Sequence, residues 1–189
     1  MTTAVIVRPT ITYGPGDETG MVTRLIEIMA AGRFVRVGTG RNHIHLTYIE
    51  DLTAGLVLAG THPAAAGQTF ILSGPEPVRI ASLLDRISAL LGTRPPLAGV
   101  PVIAARLAGA ALEALYRSAS KLSVIAPDSA PPLTRQTVKT FCAERSFSHR
   151  KASEMIGFRP AIGLEEGLPR TMEWLRLVGR VKDVPLGDG

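Results

Sequence analysis

Close to the amino terminus stand four consecutive apolar residues, Ala4-Val-Ile-Val7, three of them β-branched. A half-exposed strand would alternate polar and apolar side chains. A run this short and wholly apolar predicts instead a strand buried on both faces of a parallel sheet. Thr69 to Leu72 is a second run of this kind, ended by Ser73-Gly-Pro-Glu76. Helical patterns lie between and after the two, so the fold class expected is α/β. The first strand needs neighbours, and too few candidates follow it. The sheet is therefore expected to be incomplete without earlier strands.

The remaining elements follow from periodicity and punctuation. Val22, Leu25, Ile26 and Met29 recur at helical spacing, and Gly32 can close that helix. Phe34 to Val37 and His45 to Ile49 read as short strands around the loop Gly38-Thr-Gly-Arg-Asn42. Asp51 is placed to cap a helix over Leu52 to Ala59. Ile80, Leu83, Leu84, Ile87 and Leu91 form the clearest helical stripe, with Gly92 just beyond. Pro95-Pro96 precedes a helix from about Val102 to Arg117, in which Leu107, Ala111 and Leu115 make a stripe expected to pack in the core. Residues 118–135 read as a long loop. Ser148 can cap a short helix ending at Gly157, and Leu164 to Val178 is a last helix that should start near Pro169 or kink there.

Composition narrows the function classes. The net charge of +5 is spread along the chain, and aromatics are 5% of residues. A nucleic-acid binder concentrates its cations and supplies rings to stack on bases, so no nucleic-acid partner is expected. The single cysteine, Cys142, excludes an internal disulfide and fits a reducing compartment such as the cytoplasm. The first residues do not form a signal peptide. The most apolar stretch, Val100 to Tyr116, contains Arg106 and Glu113 and is too short to span a bilayer, leaving at most a peripheral membrane contact. His43 and His45 fall on one face of a strand, but two ligands are too few for zinc, and no metal site is expected.

Three co-linear motifs carry a resemblance. Val7-Arg-Pro-Thr-Ile-Thr-Tyr-Gly-Pro-Gly-Asp17 is similar to a strand and loop of the extended short-chain dehydrogenases/reductases, the NAD-dependent epimerase/dehydratase superfamily. Gly38-Thr-Gly-Arg-Asn-His-Ile-His-Leu-Thr-Tyr-Ile-Glu-Asp-Leu52 resembles that family's G-x-G-x-N…T-Y-V-x-D block, in the form of the 3β-hydroxysteroid/sterol dehydrogenase branch. The third stretch runs from Pro131-Pro-Leu-Thr-Arg135 through Ser148-x-x-Lys151 to Gly157-Phe-x-Pro160, with Leu164 to Leu175 matching the closing helix.

The resemblance implies the carboxy-terminal half of such an enzyme. Residues 1–12 and 45–74 would be remaining Rossmann strands and helix, and residues 13–44 and 75–189 the substrate-binding region. It places Arg8, Pro9, Thr10 and Tyr13 near NAD or NADP, and Asp17, Arg41, Asn42, His43 and Tyr48 along a substrate cleft. No catalytic residue is expected. Tyr13, Tyr48 and Tyr116 are followed four residues later by Asp17, Leu52 and Ser120 rather than lysine, and no G-x-G-x-x-G cofactor turn occurs. The implied function is the substrate-binding part of an oxidoreductase acting on a secondary alcohol of a sterol-like or other hydrophobic molecule. Its partners would be that small molecule and an amino-terminal Rossmann half or a separate chain supplying one. A homo-oligomer stays open. So do a nucleotide-sugar epimerase/dehydratase fragment and a non-catalytic binding module derived from such an enzyme.

Overall fold

A computed structural model of the chain describes residues 4–96, 99–121, 139 and 142–182. In chain order the elements are β1 (Ile6–Pro9), β2 (Ile11–Tyr13), α1 (Met21–Ala30), β3 (Arg36–Val37), β4 (His43–Tyr48), α2 (Ile49–Thr61), a 3-10 turn (Pro63–Ala65), β5 (Thr69–Leu72), β6 (Pro77–Arg79), α3 (Ile80–Leu90), β7 (Gly99–Val100), α4 (Val102–Lys121), α5 (Arg150–Ile156) and α6 (Leu164–Leu177). The fold is α/β. β1 and β5 pair in parallel, Ile6 opposite Thr69 and Pro9 opposite Leu72. A second sheet has the order β2-β4-β6, with β2 parallel and β6 antiparallel to β4. β3 and β7 form a short parallel pair.

The apolar stripes fill two cores. α1 and α3 turn Val22, Leu25, Ile26, Leu83, Leu84 and Ile87 against Tyr13, Ile44, Leu46 and Tyr48 of the second sheet, and Leu168, Met172 and Leu175 of α6 close that core. The other core joins Leu52 and Ala59 of α2, Phe70 and Leu72 of β5, Ala152 and Ile156 of α5, and Phe158. Complete burial of each large apolar side chain contributes roughly 1.5–3 kcal/mol.

Several expectations are corrected. The first strand lies two residues later than the apolar run and is not buried on both faces. Val5 and Val7 pack toward α2 and the second core, whereas Ile6 is 52% exposed on a face that no described element covers. The division at residues 12/13 and 44/45 cuts through β2 and β4, which share one sheet. The change of sheet falls at Thr10, whose N–H donates to the Leu72 carbonyl as the chain leaves β1. α2 begins at Ile49, so Asp51 stands inside its first turn instead of capping it.

α4 continues to Lys121, so residues 118–121 are helix; residues 122–135 of the expected loop lie outside the described residues. Its stripe is not core: Leu107, Ala111 and Leu115 face solvent, because the helix packs through the small residues Ala105 and Gly109. Among the described residues no helix is long and apolar enough to cross a membrane. The Ser148 hydroxyl accepts the Arg150 N–H at the start of α5, although His149 is the capping residue. α6 begins at Leu164 and passes through Pro169, held by its buried side chains in spite of the missing donor.

Candidate substrate cleft

The Gly38–Asn42 loop is the centre of the site. Its backbone is tied on both sides: Gly38 N–H donates to the Val100 carbonyl, and the Gly40 and Asn42 carbonyls accept N–H groups of Ala81 and Ile80 at the start of α3. Gly40 has φ +68°, and a Cβ there would come within 3.3 Å of the Ala81 Cβ, so the sequence requires glycine at this contact. The loop borders an open cleft of about 620 Å³ lined by Arg36, Thr39, Arg41, Val100, Pro101 and Val102. Cations and apolar side chains lining one cleft suit a ligand with an acidic group and an apolar body. Cys142 approaches this region, its Sγ 4.0 Å from the Val37 carbonyl, and burial pushes its thiol above the usual range.

Beyond the loop, residues 142–149 run along β4 as a strap that has no regular structure after Cys142. Asn42 Nδ2 donates to the Ala143 carbonyl at 3.1 Å. The Glu144 carboxylate accepts both the His43 N–H and the His43 ring Nδ1, at 2.9 and 3.1 Å. The first of these bonds, with one from the Ser146 hydroxyl, holds the Glu144 carboxyl below its usual range. Asn42 and His43, two of the expected substrate residues, are thus fixed by a segment a hundred residues away.

The other expected residues separate into two groups. Arg8 and Arg41 are exposed, and Pro9 and Thr10 lie at the carboxyl end of β1. Thr10 Oγ1 sits 2.6 Å from Thr47 Oγ1, and Thr47 donates to the Leu72 carbonyl, so these hydroxyls link the two sheets. Carboxyl ends of parallel strands are where open α/β sheets bind ligands. Tyr13 and Tyr48 belong instead to the core. Each is 1% exposed; the rings meet edge-to-face at 5.5 Å, and the Tyr13 hydroxyl donates to the Gly163 carbonyl. Burial raises both phenols above their ordinary range, the opposite of what a tyrosine acid/base needs. Asp17 is structural too: its Oδ1 accepts the Gly20 N–H at 2.7 Å, and its carbonyl accepts the Thr23 hydroxyl, fixing the entry to α1.

His45 takes a role different from that of His43. It is 2% exposed, with Nδ1 accepting the Phe147 N–H and Nε2 directed at the Gly74 carbonyl. Nearby, the Ser73 hydroxyl is 3.0 Å from His149 Nδ1. Ser73, Glu144 and His149 carry no local motif, and nothing in the sequence pairs them with β4. Among the described residues no cluster of three or more His, Cys, Asp or Glu could hold a metal.

Pro9, Thr10 and Ser73 border the carboxyl ends of the parallel pair, but no glycine turn able to cradle a pyrophosphate is among them.

The model of the NAD dependent epimerase/dehydratase family matches residues 1–73. The chain is similar to a 2-alkyl-3-oxoalkanoate reductase of Stenotrophomonas maltophilia, 30% identical over 170 residues, covering 88% of this chain and 49% of that protein. It is 28% identical over 172 residues to the sterol-4-alpha-carboxylate 3-dehydrogenase, decarboxylating, of Mus musculus, covering 88% and 46%. The chain thus spans about half the length of the curated relatives it matches. Its fold matches that of a UDP-glucuronic acid 4-epimerase from Bacillus cereus, solved with UDP-glucuronic acid and NAD, with a TM-score of 0.63 and 20% identity over 92% of this chain and 45% of that one.

Proposed function

On the premise that this chain belongs to the NAD-dependent epimerase/dehydratase family, on its sterol-dehydrogenase side, we propose that it is the substrate-binding part of an NAD(P)-dependent oxidoreductase. The substrate is a secondary alcohol, or the matching ketone, on a hydrophobic skeleton that also bears a carboxylate. The observation that carries this reading is a cleft lined both by Arg36 and Arg41 and by Val100, Pro101 and Val102. Two relatives, named for a 2-alkyl-3-oxoalkanoate and a sterol-4-alpha-carboxylate, are described as acting on molecules of that kind.

In this reading the nicotinamide supplies or accepts the hydride. The chain's own residues bind and orient. Arg41 engages the carboxylate, Asn42 and His43 border the substrate, and Arg8, Pro9 and Thr10 flank the nicotinamide edge. Tyr13, Tyr48 and Asp17 hold the scaffold. The tyrosine–lysine pair and the glycine turn come from an amino-terminal half or a separate chain. The face of β1 and β5 that no described element covers supports such a partner: Ile6, Arg8, Thr69 and Ile71 line it, and parallel sheets are ordinarily covered on both faces.

A thermal melt tests the division of labour, because a ligand that binds only the folded state raises the midpoint. This chain alone should show no shift with millimolar NAD(H) or NADP(H). Its complex with a Rossmann half should shift with one of them, and further with a long-chain 3-oxo acid. A sharp upward shift of the isolated chain with either cofactor would sink the proposal. A response of the complex to UDP-sugars and none to oxo acids would favour the nucleotide-sugar reading, since two arginines also suit a diphosphate.

A further inference from the structure

His45 is a buried imidazole with both ring nitrogens engaged. Nδ1 accepts the Phe147 N–H at 3.1 Å, so in the neutral ring Nε2 carries the proton and donates to the Gly74 carbonyl at 3.0 Å. Gly74 in turn donates its N–H to the Leu46 carbonyl. One ring therefore pins both the strap and the turn after β5 to β4. A second proton would go to Nδ1 and point at the Phe147 N–H. Donor would face donor, and the bond could not survive.

We propose that the strap over residues 142–149 is a pH-sensitive latch, closed while His45 is neutral and released when it is protonated. The elements around the ring carry charged and titratable groups, of which His149 acts on it electrostatically. His149 closes the strap's far end, and Glu144 and Arg145 stand on its near side. His43 lies on the same strand, and Arg79 of β6 donates to His43 Nε2. Glu144 is engaged by His43 and Ser146, and among the described residues no carboxylate hydrogen-bonds the His45 ring. Burial favours the neutral ring and pulls its titration below the ordinary histidine range, opposed by the Gly74 carbonyl.

The sign follows from that direction. The stabilisation is complete above about pH 6.5, the value of an unperturbed histidine, and declines as pH falls toward the depressed value in the fold. Release of the strap also frees Ala143 and Glu144 from Asn42 and His43. Loosening of the substrate site rests on the proposed function; the latch itself does not.

Amide hydrogen exchange at Phe147, followed by NMR on the full chain from about pH 7.5 to about pH 5.5 and corrected for intrinsic exchange, tests it without substrate. The Phe147 amide should lose up to about tenfold of its protection per pH unit below about pH 6.5. The Leu84 amide in the core should keep its own. His45→Asn places an acceptor near the Nδ1 position that does not titrate, and should keep Phe147 protected with a flat profile. His45→Gln keeps a donor near Nε2 but no acceptor near Nδ1, and should lose that protection at every pH. A wild-type Phe147 profile as flat as that of Leu84, or an unchanged slope in His45→Asn, overturns the latch.

Discussion

Asp51 and Ile162 are 111 residues apart in sequence, yet an Asp51 carboxylate oxygen accepts the Ile162 N–H at 3.0 Å. The same carboxylate accepts the Ala161 N–H at 3.1 and 3.2 Å. The aspartate at the end of the Thr-Tyr-x-x-Asp block thus clamps the segment that enters α6. That helix closes the core behind Tyr13 and Tyr48, and so supports the sheet whose strand β4 follows directly on the Gly38–Asn42 loop.

Replacing Asp51 by Ala leaves two backbone donors without an acceptor. The expected loss is about 2–3 kcal/mol, or roughly 5–10 °C in melting temperature for a chain of this size. Asp51→Asn keeps one acceptor and should lose part of that. Full recovery by Asn in urea unfolding would mean that the side chain acts only as a local cap.

Gly167 and Gly60 are both helical but should respond oppositely to alanine. A Cβ at Gly167 would lie 2.5 Å from the Tyr13 hydroxyl and 2.7 Å from Tyr48, whereas nothing lies within 4 Å at Gly60. Gly60→Ala should gain about 0.5–1 kcal/mol from helix propensity. In Gly167→Ala overpacking, typically about 1–3 kcal/mol, should exceed that gain. Equal effects in thermal melts would show that α6 does not press on the tyrosine pair.

The tyrosine pair also predicts alkaline sensitivity. Both phenols are raised by burial first, so the fold favours their neutral forms. That contribution is intact below about pH 10, the ordinary tyrosine value, and is lost as pH rises beyond it. Ultraviolet titration should show Tyr13 and Tyr48 ionising together with unfolding. Reversible ionisation near pH 10 in the folded chain would contradict the burial seen here.

Ile6→Lys should leave the isolated chain within about 0.5 kcal/mol of wild type, because Ile6 is already half exposed. If a Rossmann half covers that face, the same change should weaken assembly by about 10–100-fold, the equivalent of one buried apolar side chain at roughly 1.5–3 kcal/mol. Calorimetric titration of the two halves measures it; unchanged affinity would place the partner elsewhere.

Much of the local architecture was legible in the residues. Val22, Leu25, Ile26 and Met29 formed the buried stripe that their spacing predicts, and Thr69 to Leu72 paired as a parallel strand. The burial of a stripe was legible only where a core awaited it. Leu107 and Leu115 have the same spacing and point to solvent, since periodicity marks a face without saying what covers it. The site was less legible. Arg41 and Asn42 lie in the loop their motif marks, but Tyr13 and Tyr48, expected beside ligands, pack against Gly163, Gly167 and each other.

The sequence by itself determined the α/β class, the main helices, the strand at Thr69 to Leu72 and the family motifs, because these depend on neighbours within a few turns or pleats. Tertiary structure decided which polar groups answer one another across the chain. Asp51 reads as a cap and is a clamp. His43 and His45 read as one pair, and one is half exposed on Glu144 while the other is buried between Gly74 and Phe147. A donor or acceptor carries no mark of its partner when that partner lies about a hundred residues away. Only the packed fold brings the two within hydrogen-bond reach and removes the water that would otherwise take the partner's place.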